Sequence, residues 1–342
     1  MDPVAASRSA EDMSWVRLDD ASAIGTARRT TESLAAALGL RPGRVAEVGL
    51  AVTEMATNVH RHGGGGSLLL RAIRHAETAA LEVVALDAGP GMLDVARSRR
   101  DGHSTGGTLG IGLGAIDRLA DAVEISSMRD RGTVVVARFE GDRRRPSVQE
   151  TAAGITRAIA GETVCGDAYA VRREGDRTLL MVADGSGHGP LAAAASREAV
   201  RVFLDGAGVT SPEPALRTVH RALSGTRGAA VAVAELDPAA GVVRFAGIGN
   251  IAGAVVTGGA KQSMVSIGGV AGFRQPTIRT FTYPLEAGSL VVLQSDGVTP
   301  RWNAADIGPV LGRSALLVAA TVLRDSAVRP DDACVAVARA AG

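Results

Sequence analysis

The sequence predicts two consecutive domains of the α+β class. The length of 342 residues exceeds what a single domain usually needs. In the first part, amphipathic helical stretches are followed by pairs of strands; in the second, apolar strand-like runs repeatedly end in an acid followed by glycine. We therefore expect one domain over residues 1–140, an exposed arginine-rich linker over residues 141–150, and a second domain over residues 151–342.

The composition narrows the classes of function. Hydrophobic residues make up 46% of the chain and charged residues 21%, which is enough apolar material for folded cores. The net charge of +1 gives no support for a nucleic-acid partner or an anionic membrane surface. No run approaches the roughly 18 apolar residues of a membrane span, and the start lacks the features of a signal peptide. Cys165 and Cys334 fall in predicted strands as buried thiols, so we expect a cytoplasmic protein with no membrane partner.

Two helices open the first domain. Residues 22–38 carry apolar side chains at helical spacing, and residues 45–59 form a second stripe of the same kind. Glu54 and Asn58 are four residues apart on the second helix, so they share one face and can act on one ligand. The following strands, 67–74 and 79–86, end in Asp87-Ala-Gly-Pro-Gly91.

A glycine-rich segment follows. Residues 92–109 are polar and are interpreted as a mobile lid, and Gly110-Ile-Gly-Leu-Gly114 then opens a helix. Glycines before a helix N-terminus present backbone N–H groups to phosphate. The pattern is neither a dinucleotide-binding fingerprint nor a Walker loop, because it lacks the later acid of the first and the Lys-Ser/Thr of the second. Residues 123–127 and 133–139 are predicted to close the domain as a hairpin.

These three motifs, in this order, resemble the GHKL or Bergerat-fold ATP-binding domain, and within it the RsbT/RsbW group of serine kinases and anti-sigma factors. The resemblance covers about residues 15–140 and implies an α/β sandwich that binds ATP. In that family Asn58 would hold Mg²⁺, Asp87 would accept a hydrogen bond from the adenine amino group, and Glu54 would activate the attacking hydroxyl or water. The implied ATP-binding set is Glu54, Asn58, Asp87, Gly89, Gly91, Gly110, Gly112 and Gly114.

In the second domain, acids stand at four strand ends. Asp184 follows the apolar run 178–183, Asp296 follows 291–294, Asp331 and Asp332 precede the last strand, and Asp167 lies one hairpin upstream of Asp184. Carboxylate and carbonyl oxygens suit hard divalent cations, and no Cys/His cluster competes for a softer metal. Convergent carboxylates predict a two-metal hydrolytic site.

The same pieces resemble the PPM-type metal-dependent protein phosphatases, in their SpoIIE-like bacterial branch and closest to its RsbX-like subgroup. The resemblance covers about residues 151–342 and implies a β-sandwich flanked by helices, with Mg²⁺ or Mn²⁺ as cofactor. Asp184 and Asp296 would be the catalytic acids. The implied metal ligands are Asp167, Asp184, the Gly185 carbonyl, Asp296 and Asp331. Many members carry a second acid where this chain has Tyr169-Ala170, so the number of metals stays open.

Together, the two resemblances imply a bacterial regulator that joins an ATP-binding, serine-kinase-like domain to a serine/threonine phosphatase. The implied partner is a phosphorylated antagonist protein of the STAS fold, with a sigma factor as a second partner class. Alternatively, the first domain is a non-catalytic, ATP-dependent binding module, or the whole chain is a scaffold with an inactive phosphatase. Two residues also keep two interpretations: His188 is a general acid or a turn histidine, and Asn250 orients substrate or caps a turn.

Overall fold

The computed structural model describes residues 9–74, 79–98, 112–141, 150–206, 211–273 and 277–340. The chain divides into two compact units, Met1–Gln149 and Glu150–Gly342. Each unit mixes helices and strands, which confirms the predicted α+β class. Of the described helices, none is long and apolar enough to cross a membrane.

The first unit contains one five-stranded antiparallel sheet in the order β1-β2-β3-β5-β4. Its strands are β1 (Ser9–Arg17), β2 (Gly66–Arg74), β3 (Ala79–Asp87), β4 (Ala122–Met128) and β5 (Gly132–Glu140). Its helices are α1 (Ser22–Ala37), α2 (Pro42–His62), the short α3 (Val95–Ser98) and α4 (Gly112–Leu119).

The core of this unit lies between the sheet and the helices. Val52 and Met55 of α2 and Ile116 of α4 are buried against Leu70 and Val83 of the central strands. Pro42 is well placed at the start of α2, because the first turn of a helix leaves its N–H groups without intrahelical partners. The helical layer therefore presents one face of α2 to the ends of β3 and α4, where the predicted nucleotide residues lie.

The second unit is a sandwich of two five-stranded antiparallel sheets, ordered β13-β10-β9-β8-β7 and β12-β11-β14-β15-β6. The strands of the first sheet are β7 (Asp167–Glu174), β8 (Arg177–Gly185), β9 (Ala229–Asp237), β10 (Val242–Ile248) and β13 (Phe281–Pro284). Those of the second are β6 (Ala152–Arg157), β11 (Ala252–Thr257), β12 (Ala260–Met264), β14 (Leu290–Gln294) and β15 (Ala333–Arg339).

Helices cover both outer faces of the sandwich. On one side α5 (Pro190–Asp205) and α6 (Pro212–Ala222) bury Phe203 and Leu216 against the first sheet. On the other, α7 (Ala315–Ser326) packs on β15 and β6, and a 3₁₀ helix spans Ala304–Val310. Residues such as Phe245 and Val291 fill the space between the sheets. The expected β-sandwich flanked by helices is therefore observed.

The predicted elements agree with the structure within a few residues. Several further elements had no assignment from the sequence, namely β1, α3, β11, β12, β13, α7 and the 3₁₀ helix. Most residues of α7 are buried, so the helix has no polar stripe to reveal its period. The predicted lid, residues 92–109, includes α3, and its part from residue 99 onward lies outside the described residues.

Candidate active sites

Two acids of the second unit lie directly opposite each other on neighbouring strands. Asp167 begins β7, Asp184 is next to last in β8, and the antiparallel register pairs them. Opposite residues of an antiparallel pair project from the same face, so both carboxylates occupy one end of the sheet. Asp167 is buried and Asp184 is half-buried.

The second sheet brings further acids to adjacent loops. Asp296 follows the end of β14, and Asp331 precedes β15, its hydrogen-bonded neighbour. Two bonds hold these loops together: the Ser295 N–H donates to the Cys334 carbonyl at 3.1 Å, and the Cys334 N–H donates to Ser295 Oγ at 2.8 Å. Asp296 and Asp331 therefore leave the sheet side by side.

The electrostatics show that the acids of the two sheets face one another. Burial, followed by the charges of Asp296, Asp331 and Asp332, raises the pKa of Asp184 from 3.8 to about 7. Burial and the neighbouring charge of Asp184 raise the pKa of Asp167 well above its ordinary value. The pKa of Asp296 is raised by burial and by Asp331, against the opposing effect of Arg329. These carboxylates repel one another, and a cation would relieve that repulsion.

The residues present fit a divalent metal. Asp167 Oδ2 is buried without a hydrogen-bond partner among the described residues, an arrangement that is costly unless another group satisfies the oxygen. A Cβ on Gly185 would lie 2.2 Å from the Ala192 carbonyl oxygen, so the backbone there is close-packed. Within the described ranges, however, no three His, Cys, Asp or Glu side chains form a ready-made cage for one ion. The acids are close enough to interact and lack a closed coordination shell of protein side chains.

Three polar residues support these acids. Asn250 Nδ2 donates a hydrogen bond to Oδ2 of Asp296, a candidate metal ligand, at 2.7 Å. This contact adds a third interpretation to the two that the sequence left open for Asn250, namely that it orients a metal-binding carboxylate. The Ser295 hydroxyl hydrogen-bonds Asp167 and lowers its pKa, and Arg329 donates to the Asp296 carbonyl at 2.9 Å. The sequence pattern assigned no role to Ser295 or Arg329, because the groups that they contact come from other strands and loops.

Asp331 and Asp332 have different surroundings although they are adjacent. Asp332 is buried, and its two oxygens accept from the Ile159 and Gly166 N–H groups at 2.8 and 2.9 Å. It therefore anchors the segment that leads to Asp167. Asp331 is exposed and adds its negative charge to the acid cluster, which is compatible with its predicted role as a ligand.

The departure at Tyr169 has a packing explanation. A Cβ on Gly154 of β6 would lie 2.6 Å from the Tyr169 ring, so the ring fills the space above that glycine.

His188, the candidate general acid, places Nδ1 2.8 Å from Glu162 Oε1 and is mostly exposed. Cys165 and Cys334 are free thiols. Cys334 is buried in β15 as predicted, whereas the prediction for Cys165 was wrong: it is half-buried in the loop before β7, where burial raises the pKa of its thiol.

In the first unit, α2 presents the two predicted polar residues to the start of α4. Asn58 Oδ1 lies 3.9 Å from the position of a Cβ on Gly112, and Asn58 Nδ2 is buried with no partner in the described ranges. Glu54 is half-buried one turn earlier, and none of the described residues hydrogen-bonds its carboxylate. Gly114 is buried in the first turn of α4, whereas Gly110 lies outside the described residues.

Asp87 ends β3 and is held by the backbone. Its Oδ1 accepts from the Gly89 N–H at 2.9 Å and from the Thr133 N–H at 3.1 Å, which orients the carboxylate. Neighbouring backbone lies too close to Gly89 and Gly91 to leave room for a side chain. A Cβ on Gly89 would lie 2.7 Å from Gly63 Cα, and a Cβ on Gly91 would lie 2.2 Å from the Met128 carbonyl oxygen. Gly91 also has a φ of 69°, which favours glycine. Seven of the predicted nucleotide residues are described. Glu54 and Asn58 lie in the second half of α2, Asp87, Gly89 and Gly91 lie at the end of β3 and on the turn after it, and Gly112 and Gly114 lie in the first turn of α4.

Models of two known families match the chain, one in each unit. Residues 18–139 match the model of the histidine kinase-like ATPase domain, and residues 174–342 match that of stage II sporulation protein E (SpoIIE). The chain is 32% identical over 126 residues to the serine/threonine-protein kinase RsbT of Bacillus subtilis (strain 168), covering 37% of this chain and 95% of RsbT.

One solved structure is similar to this chain with a TM-score of 0.52 and 29% sequence identity. It is a chain of the bacterial stressosome, a modular system that has been adapted to control secondary messenger signaling. The match covers 56% of this chain and all of that one. The structure of RsbX in complex with magnesium has a TM-score of 0.49 and 20% identity to this chain, and the match covers 55% of this chain and 94% of RsbX.

Proposed function

The chain belongs to the family of histidine kinase-like ATPase domains that includes RsbT, and on that premise we propose that it is a partner-switching regulator with two opposed activities on one protein phosphosite. The first unit would bind Mg·ATP and phosphorylate a serine or threonine. The second would hydrolyse the phosphate in a metal-dependent reaction. The observation that carries the second activity is the set of interacting acids around Asp184, whose charge calls for a divalent cation.

In the phosphatase centre, the proposed ligands are the carboxylates of Asp167, Asp184, Asp296 and Asp331 and the carbonyl of Gly185. Mg²⁺ or Mn²⁺ held there would lower the pKa of a bound water and offset the negative charge of the phosphoryl oxygens. The protein orients these ligands: Ser295 donates to Asp167, and Asn250 donates to Asp296. Such supporting hydrogen bonds fix the direction of a carboxylate and tune the metal that it holds.

In the nucleotide site, Asp87 is oriented by two backbone N–H groups, so its carboxylate is prepared to accept a hydrogen bond from the adenine amino group. Asn58 is proposed to hold Mg²⁺ through its oxygen, and its unpartnered Nδ2 would donate to a phosphate oxygen. Glu54 is one turn away on the same helix and is proposed to take the proton of the attacking hydroxyl.

The proposed substrate is a serine or threonine of a STAS-fold antagonist protein, by likeness to RsbT and to the stressosome chain. The alternative is that the first unit binds ATP and a partner without transferring phosphate, in which case a sigma factor would be a second partner class. Sites on one fold serve both catalysis and binding, and transfer of labelled phosphate to the partner distinguishes the two.

The experiment incubates the full chain with [γ-³²P]ATP, Mg²⁺ and a panel of STAS-domain proteins, and then adds Mn²⁺ after removing ATP. The proposal expects label on the partner, followed by release of inorganic phosphate. Glu54→Gln should abolish labelling and retain ATP binding, whereas Asp184→Asn should label normally and fail to release phosphate. ATP binding without labelling of any partner, by the wild type and by the phosphatase-deficient Asp184→Asn alike, would establish the binding-module alternative. Release that continues unchanged in EDTA would refute the metal-dependent phosphatase.

A further inference from the structure

Lys261 stands out from the composition of the chain. The sequence contains 37 lysine and arginine residues, and all except Lys261 are arginine. Every other permanently charged basic side chain of this protein is therefore an arginine. The physical difference between the two is that lysine carries a compact ammonium with three directional donors, whereas arginine carries a planar fork. A site that needs an ammonium is thus the natural place for the one lysine.

The contacts of Lys261 require such a compact group. Its Nζ donates to the carbonyls of Pro300 and Trp302 at 2.7 and 2.9 Å, and it lies 3.5 Å from the centre of the Trp302 ring. Two carbonyls and an aromatic face thus surround one nitrogen. Cation–π attraction and charge-assisted hydrogen bonds both weaken when that nitrogen loses its charge.

The segment held by Lys261 is continuous with the loop that carries Asp296. Gln294, at the end of β14, is buried and ties the two ends of this loop together. Its Oε1 accepts from Trp302 Nε1 at 2.7 Å, and its Nε2 donates to the Val298 carbonyl at 2.8 Å. Asp296 lies within the span that these bonds close. Lys261 therefore reaches from the edge strand β12 to the loop of a candidate metal ligand.

A pocket of about 240 Å³ opens beside this loop and is lined among others by Lys261, Met264, Gln294 and Trp302. On that side the loop lacks side-chain neighbours and the dispersion attraction that they would supply. Part of its positioning therefore comes from the hydrogen bonds and the ring contact of Lys261.

We propose that Lys261 is a positioning residue of the phosphatase centre, whose ammonium holds residues 298–302 so that Asp296 is directed at the metal site. This inference rests on the proposed phosphatase function. Among the contacts of the described residues, Lys261 makes none with a candidate metal ligand. Its effect passes through Trp302 and Gln294 to the loop.

The test measures Mn²⁺ affinity by isothermal titration calorimetry on the metal-free full chain without nucleotide, at about pH 7. Lys261→Met keeps the length of the side chain and removes the charge and the donors. It should weaken Mn²⁺ binding about tenfold, the lower end of the effect typical for residues that support metal ligands. Lys261→Arg should fall between the wild type and Lys261→Met. Arg301→Met is the matched control, because it removes a positive charge from the same loop, and Arg301 has no side-chain partner among the described residues; it should change affinity less than about twofold.

A second measurement separates positioning by charge from a merely structural role. Burial, opposed by the carboxylate of Asp306, lowers the pKa of Lys261 to about 8. At about pH 9, under argon, most of the wild-type ammonium is neutral, and the tenfold difference from Lys261→Met should shrink to about threefold or less. The pH also changes the protonation of the metal ligands, but it does so equally in both proteins. The ratio of their Mn²⁺ affinities at one pH therefore cancels this effect.

Equal Mn²⁺ affinities of the wild type and Lys261→Met, or a difference that stays constant between the two pH values, would overturn the inference. If Lys261→Met does not fold, Trp302→Phe keeps an aromatic ring and removes the N–H bond to Gln294, and it should weaken Mn²⁺ binding by about threefold or more. Phosphatase turnover of a phosphoserine peptide is measured separately. An inactive wild type at saturating Mn²⁺ would refute the proposed function, while the Mn²⁺ titrations would still report on the loop.

Discussion

Asp87 in the first unit and Asp184 in the second both stand at the end of a buried strand before a glycine-rich turn, and their surroundings differ. Asp87 receives two backbone N–H groups from its own turn and from β5. Asp184 instead faces other carboxylates, which raise its pKa together with burial. The protein itself satisfies the first acid and leaves the second with uncompensated charge. This difference suits recognition of a neutral amino group in one case and of a metal ion in the other.

The largest effect should come from neutralising the uncompensated acid. Asp184→Asn should lower phosphatase kcat by about 10³-fold or more, because the metal site loses a charged ligand. ATP affinity of the first unit should not change. Asp205→Asn, an exposed acid paired with Arg201 on α5, is the control and should retain full activity. Substantial turnover of Asp184→Asn on a phosphoserine peptide would contradict the role assigned to this acid.

The satisfied acid is tested by Asp87→Ala. This change removes the proposed adenine acceptor and leaves the N–H groups of Gly89 and Thr133 without their partner, so ATP should bind about 10²-fold more weakly. Fluorescence titration with a labelled ATP analogue measures the loss, and phosphatase activity serves as the fold control. Asp19→Ala, an exposed acid in the same unit, should bind normally. ATP affinity within about twofold of the wild type would show that Asp87 does not read the base.

A smaller effect is expected for the group that orients Asp296. Asn250→Ala removes the hydrogen bond to Asp296 Oδ2 and should raise the Mn²⁺ concentration for half-maximal activity about tenfold, with a smaller loss of kcat at saturation. Asn250→Ser, which retains a hydroxyl donor, should recover part of this loss. A change in the substrate KM with unaltered metal dependence would instead support the interpretation in which Asn250 orients the substrate.

The smallest effect is on stability and follows from the raised pKa of Asp184. In the metal-free protein its pKa is about 7, above the ordinary value of 3.8, so the folded state binds more protons than the unfolded state between these values. Stability of the phosphatase unit should therefore fall as pH rises from about 4 to about 7, and the melting transition should drop by about 3 °C or more.

Differential scanning calorimetry in EDTA measures this change. Two transitions are expected from two units, and ATP identifies the first unit by raising its melting temperature. Asp184→Asn should flatten the pH dependence of the other transition and raise its melting temperature at about pH 8. Mn²⁺ should stabilise the wild type more at about pH 8 than at about pH 5, and an equal stabilisation at both values would contradict the proposed mutual repulsion of the acids.

Much of the fold could be read from local patterns. The spacing of apolar residues predicted α1 and α2, and acids followed by glycines marked the strand ends at Asp87, Asp184 and Asp296. Two of the elements that the sequence did not predict show why local patterns can fail. The helix α7 is buried nearly all round and shows no amphipathic period, and β12 is a short, mostly exposed edge strand with no alternation. For both elements, packing in the tertiary structure rather than local pattern decides the conformation.

The sequence by itself determined which chemistry is available: acids after buried strands, glycines before a helix, and one lysine among arginines. Only the tertiary structure decided which groups meet. The register of β7 against β8 places Asp167 opposite Asp184, Asn250 reaches Asp296 across 46 residues, and Lys261 reaches Trp302 across 41. The physical reason is that a hydrogen bond depends on positions within a few tenths of an ångström. Those positions result from the packing of sheets and loops that are distant in sequence.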